Sequence, residues 1–134
     1  MPPASYKDAS VAFLRLVVEG RIREAYAAYV SPAMRHHNMA FAGDAASLQQ
    51  AMEENHARHP HKILEVKHVV QDGELVAVHS RVRLTAGERG FSAVHLFRFE
   101  GERIAELWDV GQPVPDVSPN RKPIKSSDYQ KLSR

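Results

Sequence analysis

Residues 63–84, ILEVKHVVQDGELVAVHSRVRL, decide the class of fold. Two runs rich in Val, Ile and Leu lie on either side of Asp72-Gly73, and such a pair between apolar runs is the strongest short signal of a β-hairpin. The stretch therefore predicts two antiparallel strands, over residues 63–70 and 75–84.

A two-residue turn at this position also predicts which side chains share a face of the sheet. On one face the predicted pairs are Val70 with Leu75, His68 with Ala77, and Val66 with His79. The opposite face is also largely apolar, with Ile63, Val69, Val76, Val78, Val82 and Leu84. An antiparallel sheet with one wet face alternates more cleanly between apolar and polar residues. We therefore expect helices to cover one face and a second copy of the chain to cover the other, in a homodimer.

Upstream of this hairpin, apolar residues recur at spacings of three and four, which predicts helices. Two helices are predicted over residues 6–18 and 21–29, and a third begins after the N-cap Asp44 and ends before Pro60. Residues 34–40, between the second and third helices, have no regular pattern.

A second hairpin is predicted downstream, over residues 91–99 and 104–110, around residues 100–102. Three helices followed by four long antiparallel strands indicate an α+β fold. A twisted sheet that curls around the helices then encloses a cone-shaped cavity, and we expect this single domain to extend over residues 1–118.

Composition limits the classes of function. The chain has 134 residues, no cysteine, and 18 basic against 16 acidic side chains, so thiol redox chemistry is excluded. It has no apolar run long enough to span a bilayer and no apolar signal core near Met1, so we expect a cytoplasmic protein with no membrane partner. The basic excess lies in a tail at residues 119–134, so the sequence predicts no phosphate-binding face and no nucleic-acid partner.

Two ionisable residues of the second hairpin are the candidate catalytic pair. Asp109 lies between Trp108 and Val110, and a carboxylate buried there must be paired or have a raised pKa. Such a carboxylate can take a proton from carbon next to a carbonyl, but a solvated or arginine-paired aspartate is the alternative. A three-residue turn places His95 on the face of Asp109, whereas a two-residue turn separates them unless a bulge restores the pairing.

A further group of polar residues includes His36, His37, Asn38 and His79. Their side chains can hydrogen-bond a substrate carbonyl or hydroxyl, although a surface location for the histidine pair is equally compatible with the sequence. The histidines near the end of the third helix are spaced only loosely for a metal, so the sequence predicts no metal site.

The run FRFEGERIAELWDVGQ at residues 97–112, with RHHN at 35–38 and VAVHS at 76–80, resembles the SnoaL-like polyketide cyclases of the NTF2-like superfamily. The resemblance extends over roughly residues 6–118. It implies a cone-shaped α+β barrel, usually dimeric, with a pocket between the helices and the sheet and no cofactor.

The resemblance also implies roles for individual residues. Asp109 matches the aspartate that acts as acid and base in an intramolecular aldol condensation, and His95 matches the histidine that assists it. The candidate substrate-binding residues are His37, Asn38, His79, Trp108 and Gln112. The chain departs from the family pattern at His36, Met39 and Leu107, where relatives often have Gln, Pro and His.

The leading hypothesis is a cofactor-independent enzyme, of the lyase or isomerase type, that acts on a small carbonyl compound through an enolate. Aldol-type cyclisation, isomerisation and dehydration all remain open. Asp109 would remove the proton, while His95, helped by His37 or His79, would hydrogen-bond the enolate oxygen or return the proton. The alternative is a non-catalytic dimeric pocket protein that binds an apolar small molecule, because one fold hosts many functions.

Overall fold

A computed structural model describes residues 5–115 and Pro119, with three helices and five strands. The helices are α1 (Tyr6–Val18), α2 (Ile22–Tyr29) and α3 (Ala45–Arg58). The strands are β1 (Val30–His36), β2 (Ile63–Asp72), β3 (Leu75–Arg83), β4 (Phe91–Glu100) and β5 (Arg103–Pro113). The expected α+β class is confirmed. The predicted basic tail at residues 119–134 lies outside the described residues, apart from Pro119.

Capping residues set the starts of the two longer helices. The Ser5 hydroxyl accepts a hydrogen bond from the Asp8 N–H at the start of α1, and the Asp44 carboxylate accepts one from the Ser47 N–H at the start of α3. Both helices lie where the apolar spacing and the Asp44 cap predict them.

The sheet has the strand order β1-β5-β4-β3-β2. The four predicted strands pair in an antiparallel manner, but β1 is an additional strand that runs parallel to β5 and makes the sheet mixed. Residues 34–40 have no regular pattern in the sequence, so the sequence does not predict β1. Pro32 is compatible with β1 because an edge strand tolerates a missing N–H.

The register of the first hairpin differs from the prediction. Its turn is Gly73-Glu74, so Val70 pairs with Ala77 rather than Leu75. A bulge at Lys67 then places Val66 opposite Ser80, on the other face from the one predicted. The extra residue in the strand changes which side chains point to each face of the sheet.

The helices cover one face of the sheet, called here the inner face, which carries Val76, Val78, His95, Phe97, Leu107 and Asp109. Phe13 of α1 packs edge-on against Phe97, with ring centroids 5.8 Å apart. The opposite, outer face carries His79, Val94, Trp108, Val110 and Gln112. Val110 is 68% exposed there, so this face of the described chain is uncovered and partly apolar.

Candidate active site

The second hairpin brings His95 and Asp109 together through a bulge. The turn has two residues, with Glu100 paired to Arg103, and this turn alone would place the two side chains on opposite faces. Ala105 is an extra residue between the pairs Phe99–Ile104 and Arg98–Glu106. His95 consequently lies directly opposite Asp109, and both belong to the inner face.

A cavity of about 350 Å³ opens beside this pair. Its lining residues are Asn38, Val82, Phe91, Ala93, His95, Asp109, Val110 and Gly111. The walls are mainly apolar, and the three polar side chains are an amide, an imidazole and a carboxylate. A mainly apolar cavity with a few convergent polar groups is typical of small-molecule sites.

Asn38 holds one oxygen of the Asp109 carboxylate. Its Nδ2 donates a hydrogen bond to Oδ2 of Asp109 at 3.1 Å. The other end of the amide, Oδ1 of Asn38, accepts a hydrogen bond from the Ala40 N–H at 2.9 Å, which sets the orientation of the amide. Among residues 5–115, the hydrogen-bond partner of Asp109 is therefore an uncharged amide and not an arginine.

His95 combines burial with a nearby negative charge. Burial lowers the pKa of its imidazole below the ordinary value, although the Asp109 carboxylate opposes part of this effect. Its Nδ1 is buried and has no hydrogen-bond partner among the described residues. The ring lies nearly parallel to that of Phe97, at a centroid distance of 6.2 Å. Near neutral pH His95 is thus an uncharged ring with one donor and one acceptor nitrogen.

His37 and Trp108 lie on the outer face, away from this cavity. Their rings stack at a centroid distance of 4.8 Å, and Nε2 of His37 is 2.6 Å from Oε2 of Glu106. Hydrogen bonds from His37 and Arg98 lower the pKa of the Glu106 carboxyl below its ordinary value. This arrangement ties the end of β1 to β5.

His79 and Gln112 also lie on the outer face. The His79 ring stacks on His68 with centroids 5.2 Å apart, and its Nε2 is 3.1 Å from the Ser92 hydroxyl oxygen. Burial, together with the nearby His68 and Lys67, lowers the pKa of His79. Gln112 lines a separate groove with Ser92, Val94, Val110 and Gly111. The structure thus groups Asp109, His95 and Asn38, and places the other four candidate residues across the sheet.

His36 is a site residue whose role sequence analysis did not identify. It is buried in β1, and its ring contacts the loop that carries Asn38. The sequence carries no regular pattern here, and the alternation of buried Met34 and His36 with exposed Arg35 becomes visible only in the structure.

No group of three or more His, Asp or Glu side chains within residues 5–115 is arranged to hold a metal ion. No helix in this part of the chain is long and apolar enough to cross a membrane.

Comparisons with known proteins show the family and the fold of this chain. The sequence profile of the SnoaL-like domain family matches residues 10–107, a range that includes His95 and ends before Asp109. No curated protein sequence matches the chain.

Solved structures resemble most of this chain. An NTF2-like protein of unknown function from Cytophaga hutchinsonii is 14% identical, with a TM-score of 0.68 over 84% of this chain and 94% of that one. A candidate polyketide cyclase from Acidithiobacillus ferrooxidans is 20% identical, with a TM-score of 0.64 over 84% and 92%. IdmH, a candidate polyketide cyclase from Streptomyces antibioticus, is 16% identical, with a TM-score of 0.63 over 81% and 93%. These likenesses confirm the NTF2-like fold.

Proposed function

The chain belongs to the SnoaL-like domain family, and from this premise we propose that it is an acid/base enzyme that acts on a small carbonyl compound through an enolate. The observation that carries the proposal is the meeting of Asp109, His95 and Asn38 at one mainly apolar cavity. Two structural neighbours described as candidate polyketide cyclases favour aldol-type cyclisation within this class. The chemistry requires no cofactor, because the three side chains supply the base and the hydrogen bonds.

In the proposed reaction, Asp109 takes a proton from the carbon next to the substrate carbonyl. The C–H bond breaks, an O–H bond forms on the carboxylate, and the electron pair moves to the carbonyl oxygen. The N–H of neutral His95 donates a hydrogen bond to that oxygen as its negative charge develops. In a cyclisation, the enolate carbon bonds to a second carbonyl carbon of the same molecule, and the new alkoxide receives the proton from Asp109.

The surroundings of the pair favour this division of roles. A positioned base contributes roughly 10² to 10⁴ in rate, and a donor aimed at the developing oxyanion contributes roughly 10² to 10³. The lowered pKa of His95 keeps the ring uncharged near neutral pH, so that Asp109 is the group able to act as the anionic base. The apolar wall of Val82, Phe91 and Ala93 lowers the polarity on one side of the pair, which strengthens both interactions.

Exchange of the substrate α-proton for deuterium tests this proposal without knowledge of the final product. The wild-type protein is incubated in D₂O with a panel of 1,3-dicarbonyl and aromatic ketone compounds, and exchange is followed by NMR. Asp109→Asn should lower the exchange rate by roughly 10²-fold or more while ligand affinity is retained. Glu106→Gln is the matched control, because it makes the same change on the outer face of β5, and its rate should stay near wild type.

The rival function is a non-catalytic pocket protein for an apolar small molecule, which the apolar wall also favours. A wild-type protein that binds members of the panel without accelerating exchange would support this rival. Full exchange activity in Asp109→Asn would instead refute the assigned base and leave another group to be found.

We also propose that a second copy of the chain covers the outer face. Val70 and Val110 are 63% and 68% exposed on this face, and Leu75 and Trp108 add further apolar surface. Exposed apolar side chains gathered on one face of a sheet indicate an interaction site. The small molecule in the cavity and the second copy are the proposed partners, and neither nucleic acid nor a membrane is among them.

A further inference from the structure

The loop over residues 37–43 is exposed, yet it carries a residue of the candidate site. The loop joins β1 to α3, and its Met39 and Phe41 side chains are 102% and 48% exposed. Apolar burial of these side chains therefore does little to hold the loop. The position of Asn38 against Asp109 must come from hydrogen bonds.

His36 supplies three of these bonds. It is only 4% exposed, and its ring Nδ1 accepts a hydrogen bond from the Asn38 N–H at 3.2 Å. Its Nε2–H donates to the carbonyl oxygen of Ala42, and its backbone N–H donates to the carbonyl oxygen of Gly43 at 3.0 Å. A single buried residue thus forms hydrogen bonds with both ends of the loop.

The hydrogen-bond pattern also fixes the protonation form of this ring. Because Nδ1 accepts a bond from a backbone N–H, it carries no proton, and the ring proton lies on Nε2. Both nitrogens are used, so His36 has no remaining ring donor or acceptor for a substrate. Its effect on the site must therefore pass through the loop.

From the outer side, His37 completes the attachment. Its backbone N–H donates to the carbonyl oxygen of Leu107 at 2.9 Å. Leu107 immediately precedes Trp108 and Asp109 in β5. The backbone N–H of Asn38 donates a hydrogen bond to the His36 ring, and its side-chain oxygen accepts one from the Ala40 N–H. With both groups occupied, Nδ2 of Asn38 is the part of the amide directed at Asp109.

We propose that His36 is a positioning residue, which holds Asn38 so that it binds Oδ2 of Asp109 and leaves Oδ1 as the oxygen that takes the substrate proton. Asp109 has no other hydrogen bond given by the described residues, so Oδ1 is available for this step. The inference rests on the proposed role of Asp109 as the base. It adds a chain of contacts, from His36 through Asn38 to Asp109, that orients the carboxylate before substrate binds.

Two substitutions of His36 separate positioning from general packing. In His36→Gln, the amide oxygen can accept from the Asn38 N–H and the amide nitrogen can donate to the Ala42 carbonyl, so the loop should keep its position. In His36→Leu, neither of these side-chain hydrogen bonds can form, but the leucine side chain still fills the buried space. The measurements are hydrogen exchange of the Asn38 side-chain amide and the NMR titration of His95.

In His36→Leu we expect the Asn38 amide to exchange roughly tenfold faster, because its bond to Asp109 is lost. The pKa of His95 should rise, because the charge of Asp109 is no longer shared with Asn38, and Asn38→Ala should produce the same rise. His36→Gln should retain wild-type values of both quantities. His37→Gln, which changes only the outer contact of the ring, should leave the His95 titration near wild type.

Wild-type amide exchange and an unchanged His95 titration in folded His36→Leu would overturn the inference. If that variant does not fold, His36→Asn replaces it, because its shorter amide cannot reach both loop partners, and values equal to those of His36→Gln would then overturn the inference. These readouts need no substrate. A wild-type protein that fails to exchange α-protons would refute the proposed function while leaving the positioning result unaffected.

Discussion

At the scale of single residues, the site depends on two opposing effects at His95. Burial disfavours the charged ring, and the carboxylate of Asp109 directly across the hairpin favours it. Burial dominates, so the pKa of the ring is below its ordinary value and the ring is neutral near neutral pH. The same two effects make His95 a probe of Asp109 that requires no substrate.

Replacing Asp109 by Asn should therefore lower the pKa of His95 further, because only the charge that opposes the burial effect is removed. The measurement is an NMR titration of the histidine side chains in the wild type and in Asp109→Asn. Glu106→Gln, on the other face of β5, is the control and should leave His95 unchanged. An identical His95 titration in Asp109→Asn would show that the two side chains are not electrostatically coupled.

The lowered pKa of His95 also sets the direction in which the stability of the fold changes with pH. Since the pKa of His95 is lower in the folded than in the unfolded chain, the unfolded chain binds more protons. The contribution of neutral His95 to the free energy of unfolding is fully present above the ordinary histidine pKa. It is lost as the pH falls toward and through the pKa of His95 in the folded chain. Asp109→Asn should extend to lower pH the range over which neutral His95 contributes to stability, because it lowers the pKa of His95 further.

Residue chemistry alone identified part of the site. Asp109 and His95 are predicted as candidates because ionisable groups within apolar strands require a partner or a function. His37, His79, Trp108 and Gln112 could not be separated from them, because the face of each strand depends on register. The role of His36 depends on contacts with a loop, which a linear pattern does not contain.

At the scale of elements, two bulges decide which side chains meet. The bulge at Ala105 brings Asp109 to the face of His95, and the bulge at Lys67 brings Val66 to the core side. Helix and strand positions followed from the period of apolar residues, but bulges leave that local pattern unchanged. The strand β1 was missed for a related reason, since its partner β5 lies about 70 residues later in the chain.

The turn between α1 and α2 provides a test of element packing. Gly20 has φ +85°, and an added Cβ would collide with the ring of His56 from α3. Gly73 in the first hairpin also has positive φ, +58°, but an added Cβ there meets no atom within 4 Å. Gly73→Ala should thus cost about 1 kcal/mol of unfolding free energy, from backbone strain alone, and Gly20→Ala about 2 to 3 kcal/mol.

Urea denaturation of both variants measures the difference. Repeating the comparison in a His56→Ala background should remove the excess cost of Gly20→Ala, because the obstructing ring is then absent. Equal costs for the two glycine variants in the wild-type background would contradict the packing argument.

At the scale of the whole molecule, the sheet has one face covered by helices and one face uncovered. Apolar residues on both faces of β2 and β3 predicted this division and a second copy on the outer face. The row His68, His79, Val94 and Val110 crosses the outer face at one register level, with Val94 near its centre. A charge introduced there would be buried in any dimer formed by this face.

Val94→Lys should accordingly convert a dimer into a folded monomer. In the monomer the lysine stem can lie along the sheet with its ammonium in water, whereas in a dimer the charge would lie in an apolar interface beside its symmetry mate. Light scattering at micromolar concentration should give twice the chain mass of 15.0 kDa for the wild type and a single chain mass for the variant. Met39→Lys, on the exposed loop over residues 37–43, is the control and should retain the wild-type mass, because Met39 belongs to no strand of the sheet. A wild-type protein that remains monomeric at this concentration would refute the proposed dimer, and a dimeric Val94→Lys would locate the interface on another surface.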